Sequence, residues 1–195
     1  MKVEHKGWYR GKYLPHFDAG GLTQDITFRL ADSLPRAALD RLEESLTDSG
    51  MKRDIERANR IGELLDQGFG SCILREPACA EIVANAINFL DGDRYELKAW
   101  VVMPNHVHLL AHFSEGQSLS KAMHSLKSFT THEIQKLHRE MSLVWQIEVF
   151  DRYIRNEAHF LRKVDYIHQN PVVAKLCRTP EEYRWSSAYL RNAAM

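Results

Sequence analysis

The 195-residue chain carries no net charge: 26 lysines and arginines stand against 26 aspartates and glutamates. A zero sum excludes a uniformly basic coat, so any contact with nucleic acid must come from a local cluster. Apolar runs are short, and none approaches the ~20 residues of a membrane-spanning helix. The opening MKVEHKGWYRGKYLPHF is polar, basic and aromatic, without an apolar h-region, and is not expected to serve as a secretory signal. Cysteine is scarce. Cys72, Cys79 and Cys177 fit neither a zinc knuckle nor a redox pair and read as free thiols of a cytoplasmic protein. No GxxxxGK[ST] phosphate loop occurs, so no nucleotide cofactor is expected. Repeats and low-complexity tracts are missing as well, which excludes solenoid and linker architectures.

What is present suits a single globular domain spanning 1–195, since a hydrophobic fraction of 44% is enough for a core. The charges are unevenly placed. Acids outnumber bases over 34–67, whereas Arg152, Arg155, Arg162 and Lys163 face only Glu157 within 152–163. The pattern predicts a strand over Leu22–Leu30, helices over Pro35–Leu46 and Lys52–Gln67, and a break at Gly68-Phe69-Gly70. A helix is expected over Glu76–Leu90. Two strands, Glu96–Val102 and His106–Phe113, join through the short turn Met103-Pro104-Asn105 as a hairpin. Next come a helix over Leu119–Glu140 capped by Ser118, a strand over Leu143–Phe150, and a last helix from Glu157 to Asn170 or beyond, capped by Asn156. This order implies an α+β fold, with a ferredoxin-like antiparallel sheet and packed helices. The charged helices at 34–67 read as an elaboration, and 177–195 as a C-terminal tail.

Within His106–Phe113 the side chains alternate between faces. Val107, Leu109, Ala111 and Phe113 share an apolar face; His106 and His108 share the other. Imidazoles about 7 Å apart at the backbone can converge on one cation, or can simply be two solvent-facing strand histidines. On the last helix, His159, Lys163, Tyr166 and Asn170 fall at i, i+4, i+7 and i+11 and form a polar stripe beside the apolar Phe160, Leu161, Val164 and Ile167. Asn170, one turn beyond Tyr166, can bring an amide oxygen to the same cation. Because Asn170 precedes Pro171, it can equally be a helix-ending residue beside an ordinary half-buried tyrosine. A basic–aromatic N-terminal segment, Arg10 and Lys12 among Trp8, Tyr9 and Tyr13, can stack on bases and pair with phosphates, or can be a disordered or core-packed terminus.

Taken together, Trp100-Val101-Val102-Met103-Pro104-Asn105-His106-Val107-His108 and Val164-Asp165-Tyr166-Ile167-His168-Gln169-Asn170-Pro171-Val172 resemble the metal-binding and catalytic-tyrosine motifs of the REP-associated tyrosine transposases. These are single-tyrosine HUH endonucleases related to insertion-sequence transposases. Val144-Trp145-Gln146, Phe150-Asp151-Arg152 and Tyr183-Arg184-Trp185-Ser186-Ser187 extend the resemblance, which runs from Leu22 onward but carries nothing over for 34–67. It implies a metal-dependent single-stranded DNA nuclease and strand transferase that forms a 5′-phosphotyrosine at hairpin DNA. Tyr166 would be the nucleophile, and His106, His108 and Asn170 the ligands of Mg²⁺ or Mn²⁺. In related insertion-sequence enzymes a glutamine holds the third position; the adjacent Gln169 points about 100° away on a helix, so Asn170 is preferred. Lys127, Arg155, Arg162, Lys163, Arg10 and Lys12 are the candidate DNA contacts. A monomer acting in the bacterial cytoplasm is expected rather than a homodimer. A hairpin-binding protein without catalysis and a water-activating metal phosphoesterase are the competing readings. A replication initiator or relaxase would need further modules.

Overall fold

The computed structural model describes residues 7–10, 15–18, 20–47, 49–147 and 149–189. The elements in chain order are β1 (Gly7–Arg10), β2 (Pro15–Asp18), β3 (Leu22–Arg29), α1 (Arg36–Ser45), α2 (Gly50–Leu65), α3 (Pro77–Phe89), β4 (Glu96–Val102), β5 (His106–Phe113), α4 (Leu119–Leu137), β6 (Phe150–Tyr153) and α5 (Glu157–Val173). β1 and β2 form a small antiparallel ribbon. Of the expected N-terminal arm, Arg10 ends β1 with its backbone opposite Pro15, while Lys12 lies outside the described residues. No helix among the described residues is long and apolar enough to cross a membrane.

The main sheet has the order β4-β5-β3-β6, and all its neighbours are antiparallel. In chain order α3 lies between β3 and β4, and α4 between β5 and β6, which is the ferredoxin-like arrangement. Period-two alternation gives the sheet two different faces. Phe28, Trp100, Val102, Val107, Leu109, Ala111 and Phe113 point to one of them and join α3 and α4 in the larger core. Ala99, Val101 and Leu110 point to the other, where Ile167 of α5 completes a smaller core. Burying both faces explains why β5 reads as a nearly continuous apolar run with histidines inserted.

Both expected caps form: Ser118 Oγ accepts from the Lys121 N–H at 3.4 Å, and Asn156 Oδ1 accepts from the His159 N–H at 2.8 Å. α5 does not stop at Asn170; it runs through Pro171 to Val173. Pro171 lies in the final turn, where its missing N–H costs one hydrogen bond close to the natural end of the ladder.

The strand expected over Leu143–Phe150 is displaced, and β6 begins at Phe150. Before it, pairing is limited to one bridge: Trp145 pairs with Leu30, just past β3, and buries its indole edge-on against Phe28, with centroids 4.8 Å apart. Its Nε1–H donates to Thr130 Oγ1 at 2.9 Å. The Gln146 N–H still donates to the Arg29 carbonyl at 2.9 Å, the chain bends at Ile147, and Lys127 Nζ donates to the carbonyls of Gln146 and Ile147 at 2.5 and 2.7 Å.

The tail covers the outer edge of β4. The Val102 N–H donates to the Trp185 carbonyl at 2.8 Å, the Trp100 N–H to Ser187 Oγ at 3.0 Å, and the Tyr183 hydroxyl to the Val102 carbonyl at 2.9 Å. An edge strand that would otherwise invite pairing with another chain is thereby closed.

Candidate active site

His106 and His108 lie on the α5 side of the sheet and are buried, at 1% and 4% exposure, rather than solvent-facing. Burial disfavours the charged imidazolium. It holds His106 down to about 3 and His108 well below the usual range, with His106 and Lys163 adding to the effect on His108. Both rings are therefore neutral at neutral pH.

Their tautomers follow from their neighbours. Asn105 uses its amide nitrogen to donate to the carbonyls of Leu65 and Phe69, each at 3.1 Å, which turns Oδ1 toward His106 Nδ1 at 2.7 Å. An amide oxygen only accepts, so His106 carries its hydrogen on Nδ1 and its Nε2 is bare. Thr27 Oγ1 lies 2.8 Å from His108 Nδ1; with the hydrogen donated there, the second Nε2 is bare as well. The two Nε2 atoms face each other at 3.1 Å. Two lone pairs in that position repel unless a cation lies between them, and cis ligands of an octahedral ion of this size class sit ~3 Å apart.

Asn170 reaches the same point from α5. It is buried, and its amide nitrogen lies 3.4 Å from His108 Nε2, while its Oδ1 is buried with no hydrogen-bond partner. Exchanging the amide oxygen and nitrogen by a half-turn aims Oδ1 at the gap between the histidines. The neighbouring Gln169 is exposed. In that orientation an amide oxygen and two neutral imidazole nitrogens would converge, a donor set that fits a divalent cation.

Tyr166 stands at the rim with 38% exposure, its ring edge-on to His108 with centroids 5.2 Å apart. α2 passes close to the hydroxyl: a Cβ at Gly62 would sit 3.9 Å from it. Burial raises the phenol above its ordinary value, and Asp66 and Asp25 raise it further against the pull of a hydrogen bond from Asn170. Tyr166 is thus a neutral phenol at neutral pH.

Lys163, one turn earlier, sends Nζ to Asp25 Oδ2 at 2.7 Å and lies 4.9 Å from the Tyr166 ring centroid. Arg155 and Arg162 are exposed near the same helix. Lys127 is elsewhere. It belongs to α4, which packs on the opposite sheet face; burial lowers its pKa to about 8, and its ammonium is occupied by the two loop carbonyls. His159 is buried and accepts the Arg155 N–H on Nδ1 at 3.3 Å, a helix-entry contact.

Four residues at the site were not singled out from sequence: Asn105, Thr27, Asp25 and Asp66. Asp66 ends α2, and its buried Oδ1 lies 3.8 Å from His106 Nε2. Burial and the nearby Glu63 push its carboxyl up to about 6. A separate group, Glu76, Cys79 and His138, has ligand atoms within 4.8 Å of one another. It sits at the α3–α4 side of the sheet, with Glu76 already paired to His138 at 3.0 Å and the Cys79 thiol raised by burial to about 11.

Residues 75–170, which hold both histidines, the tyrosine and the asparagine, match the family described as Transposase IS200 like. Over that segment, about half of its length, the chain is similar to the IS200-like transposases. It is 32% identical over 94 residues to a REP-associated tyrosine transposase of Escherichia coli (strain K12), an alignment that spans 47% of this chain and 54% of that relative. The fold is similar, with a TM-score of 0.61 and 22% identity, to a structure described as the REP-associated tyrosine transposase bound to a REP hairpin; 95% of this chain and 84% of that one are covered.

Proposed function

We propose that this transposase relative is a metal-dependent single-stranded DNA nuclease and strand transferase that cuts beside hairpin DNA through a 5′-phosphotyrosine. One observation carries the reading: two imidazole Nε2 atoms 3.1 Å apart and a buried amide converge beside a rim tyrosine of the same chain. Because histidines and tyrosine already meet within one chain, a monomer suffices for the chemistry.

His106, His108 and Asn170 would hold Mg²⁺ or Mn²⁺. When bound, the cation supplies Lewis-acid stabilisation to a non-bridging phosphate oxygen. Tyr166 Oη attacks phosphorus; the new O–P bond forms as the bond to the 3′ oxygen breaks. The phenol loses its proton, the departing 3′ oxygen gains one, and the phosphodiester energy is kept in the phosphotyrosine. Attack by another 3′-OH reverses the step and joins the strand, with no nucleotide cofactor required.

The first test is incubation with Mn²⁺ and single-stranded hairpin oligonucleotides from repeats flanking the protein's own gene, read on a denaturing gel. A covalent protein–DNA adduct is expected. Cleavage without an adduct would replace this reading with water-activated phosphoester hydrolysis, and binding without cleavage in any metal would leave a hairpin-binding protein.

Arg155, Arg162 and Lys163 are proposed as phosphate contacts beside the tyrosine. Glutamine at Arg155 or Arg162 is expected to weaken hairpin binding uniformly across sequences and to reduce the salt slope of log K by about 1 each. An unchanged slope in anisotropy titrations would remove them from the interface.

A further inference from the structure

The charged elaboration, which the resemblance leaves without a role, ends inside the active site. We propose that Asp66, at the C-terminus of α2, is a protein ligand of the same divalent cation as His106, His108 and Asn170, so that the elaboration is a working part of the metal centre. The inference rests on the reading that these three residues hold a cation.

The carboxylate is placed for it. Asp66 approaches from the His106 side, with Oδ1 3.8 Å from His106 Nε2, while Asn170 approaches from the His108 side. Asp66 Oδ1 and Asn170 Oδ1 are both buried without a hydrogen-bond partner. A desolvated carboxylate oxygen beside a bare imidazole nitrogen gains nothing there unless a positive charge lies between them. The two Nε2 atoms, the amide oxygen and the carboxylate oxygen are all satisfied by one cation.

The local backbone holds Asp66 in place. Leu65 is buried at 1% exposure, and its carbonyl accepts from Asn105, the residue that also orients His106. Two residues beyond Asp66 the chain turns at Gly68 with φ +72°, and the Phe69 carbonyl accepts from Asn105 as well. Gly70, at φ +86°, lies so close to β3's exit that a Cβ would fall 2.5 Å from the Asp32 carbonyl oxygen. The following Ser71 N–H donates to Asp32 Oδ2 at 2.7 Å. The segment around Asp66 is therefore clamped to both Asn105 and Asp32, and a clamp of this kind is what a ligand needs in order to be preorganised. A carboxylate also changes the chemistry: it adds a hard, anionic oxygen to two imidazoles and an amide, which favours oxygen-preferring Mg²⁺ and Mn²⁺.

The test is Mn²⁺ binding to the full chain, by loss of the free-ion electron paramagnetic resonance signal and by isothermal titration, for wild type, Asp66→Asn, Asp66→Ala and His108→Ala. Apo-protein melting curves serve as the control for folding, and asparagine keeps the side-chain shape. Outer-sphere partners are worth about 10–100-fold in metal affinity, so both Asp66 variants are expected to lose at least tenfold and to show a smaller Mn²⁺-induced rise in Tm. Unaltered affinity in Asp66→Asn, with binding abolished in His108→Ala, would overturn the role of Asp66 and leave the three-ligand reading standing. Binding unaltered by His108→Ala would overturn both.

Discussion

Tyr166→Phe is expected to abolish the covalent adduct and to reduce hairpin cleavage on the order of 10⁴-fold or more, because it removes the proposed nucleophile and leaves the rest of the site behind. Hairpin affinity and fold should survive. The ring keeps its edge-on packing against His108, and the residue stands at the rim of the site, 38% exposed, rather than in the core. The lost interaction is a single hydrogen bond with Asn170, worth about 1 kcal/mol. Three readouts separate chemistry from structure: adduct on a denaturing gel, hairpin binding by anisotropy, and melting temperature. An adduct persisting in the variant would place the nucleophile on another residue. Equal loss of binding and cleavage would make Tyr166 a DNA contact rather than the attacking group.

The site was partly legible in the sequence because its central geometry is periodic. Alternation on β5 puts His106 and His108 on one face, and the i, i+4 relation of Tyr166 to Asn170 on α5 stacks nucleophile and amide along one side of a helix. The burial of that face was not legible. A strand's pattern does not say what packs on its polar side, and here α5 covers it with Ile167 while α2 brings Asp66 to His106. The last helix was expected to reach Asn170 or beyond, with Pro171 allowing it to end there; it continues through Pro171 to Val173.

Asp66 and Asn105 were missed for a common reason. Each acts across a long sequence gap, Asn105 to Leu65 and Phe69, and Asp66 to His106. Neither lies on a periodic stripe. The only local sign was Gly68-Phe69-Gly70, which announces a break without saying that the break is pressed against Asp32. The strand expected before β6 forms only as a single bridge: Trp145 pairs with Leu30 and buries its ring against Phe28 and Thr130, while the continuous ladder begins at Phe150.

Asn105 joins these separate features, which makes Asn105→Ala the most informative substitution outside the ligand set. Asn105 is buried at 1% exposure and makes three contacts with one amide: Leu65 and Phe69 carbonyls on one side, His106 Nδ1 on the other. Alanine would leave the His106 N–H without its partner, a loss of about 1–3 kcal/mol if no water replaces it, and would take one donor each from the Leu65 and Phe69 carbonyls, which keep the Gly68 N–H and the Cys72 thiol, at about 1 kcal/mol per lost bond. A fall of roughly 3 kcal/mol in unfolding free energy is therefore expected, read from the urea midpoint at unchanged m. His106 would also lose the contact that fixes its tautomer, and metal affinity should fall about 10–100-fold. The two losses have different signatures. Apo-protein destabilisation without a change in Mn²⁺ affinity would mean that Asn105 only pins α2 to the hairpin turn. Loss of affinity in a variant whose apo form melts like wild type would mean that it acts through the histidine alone. Both together are expected, because one side chain ties the elaboration to the imidazole.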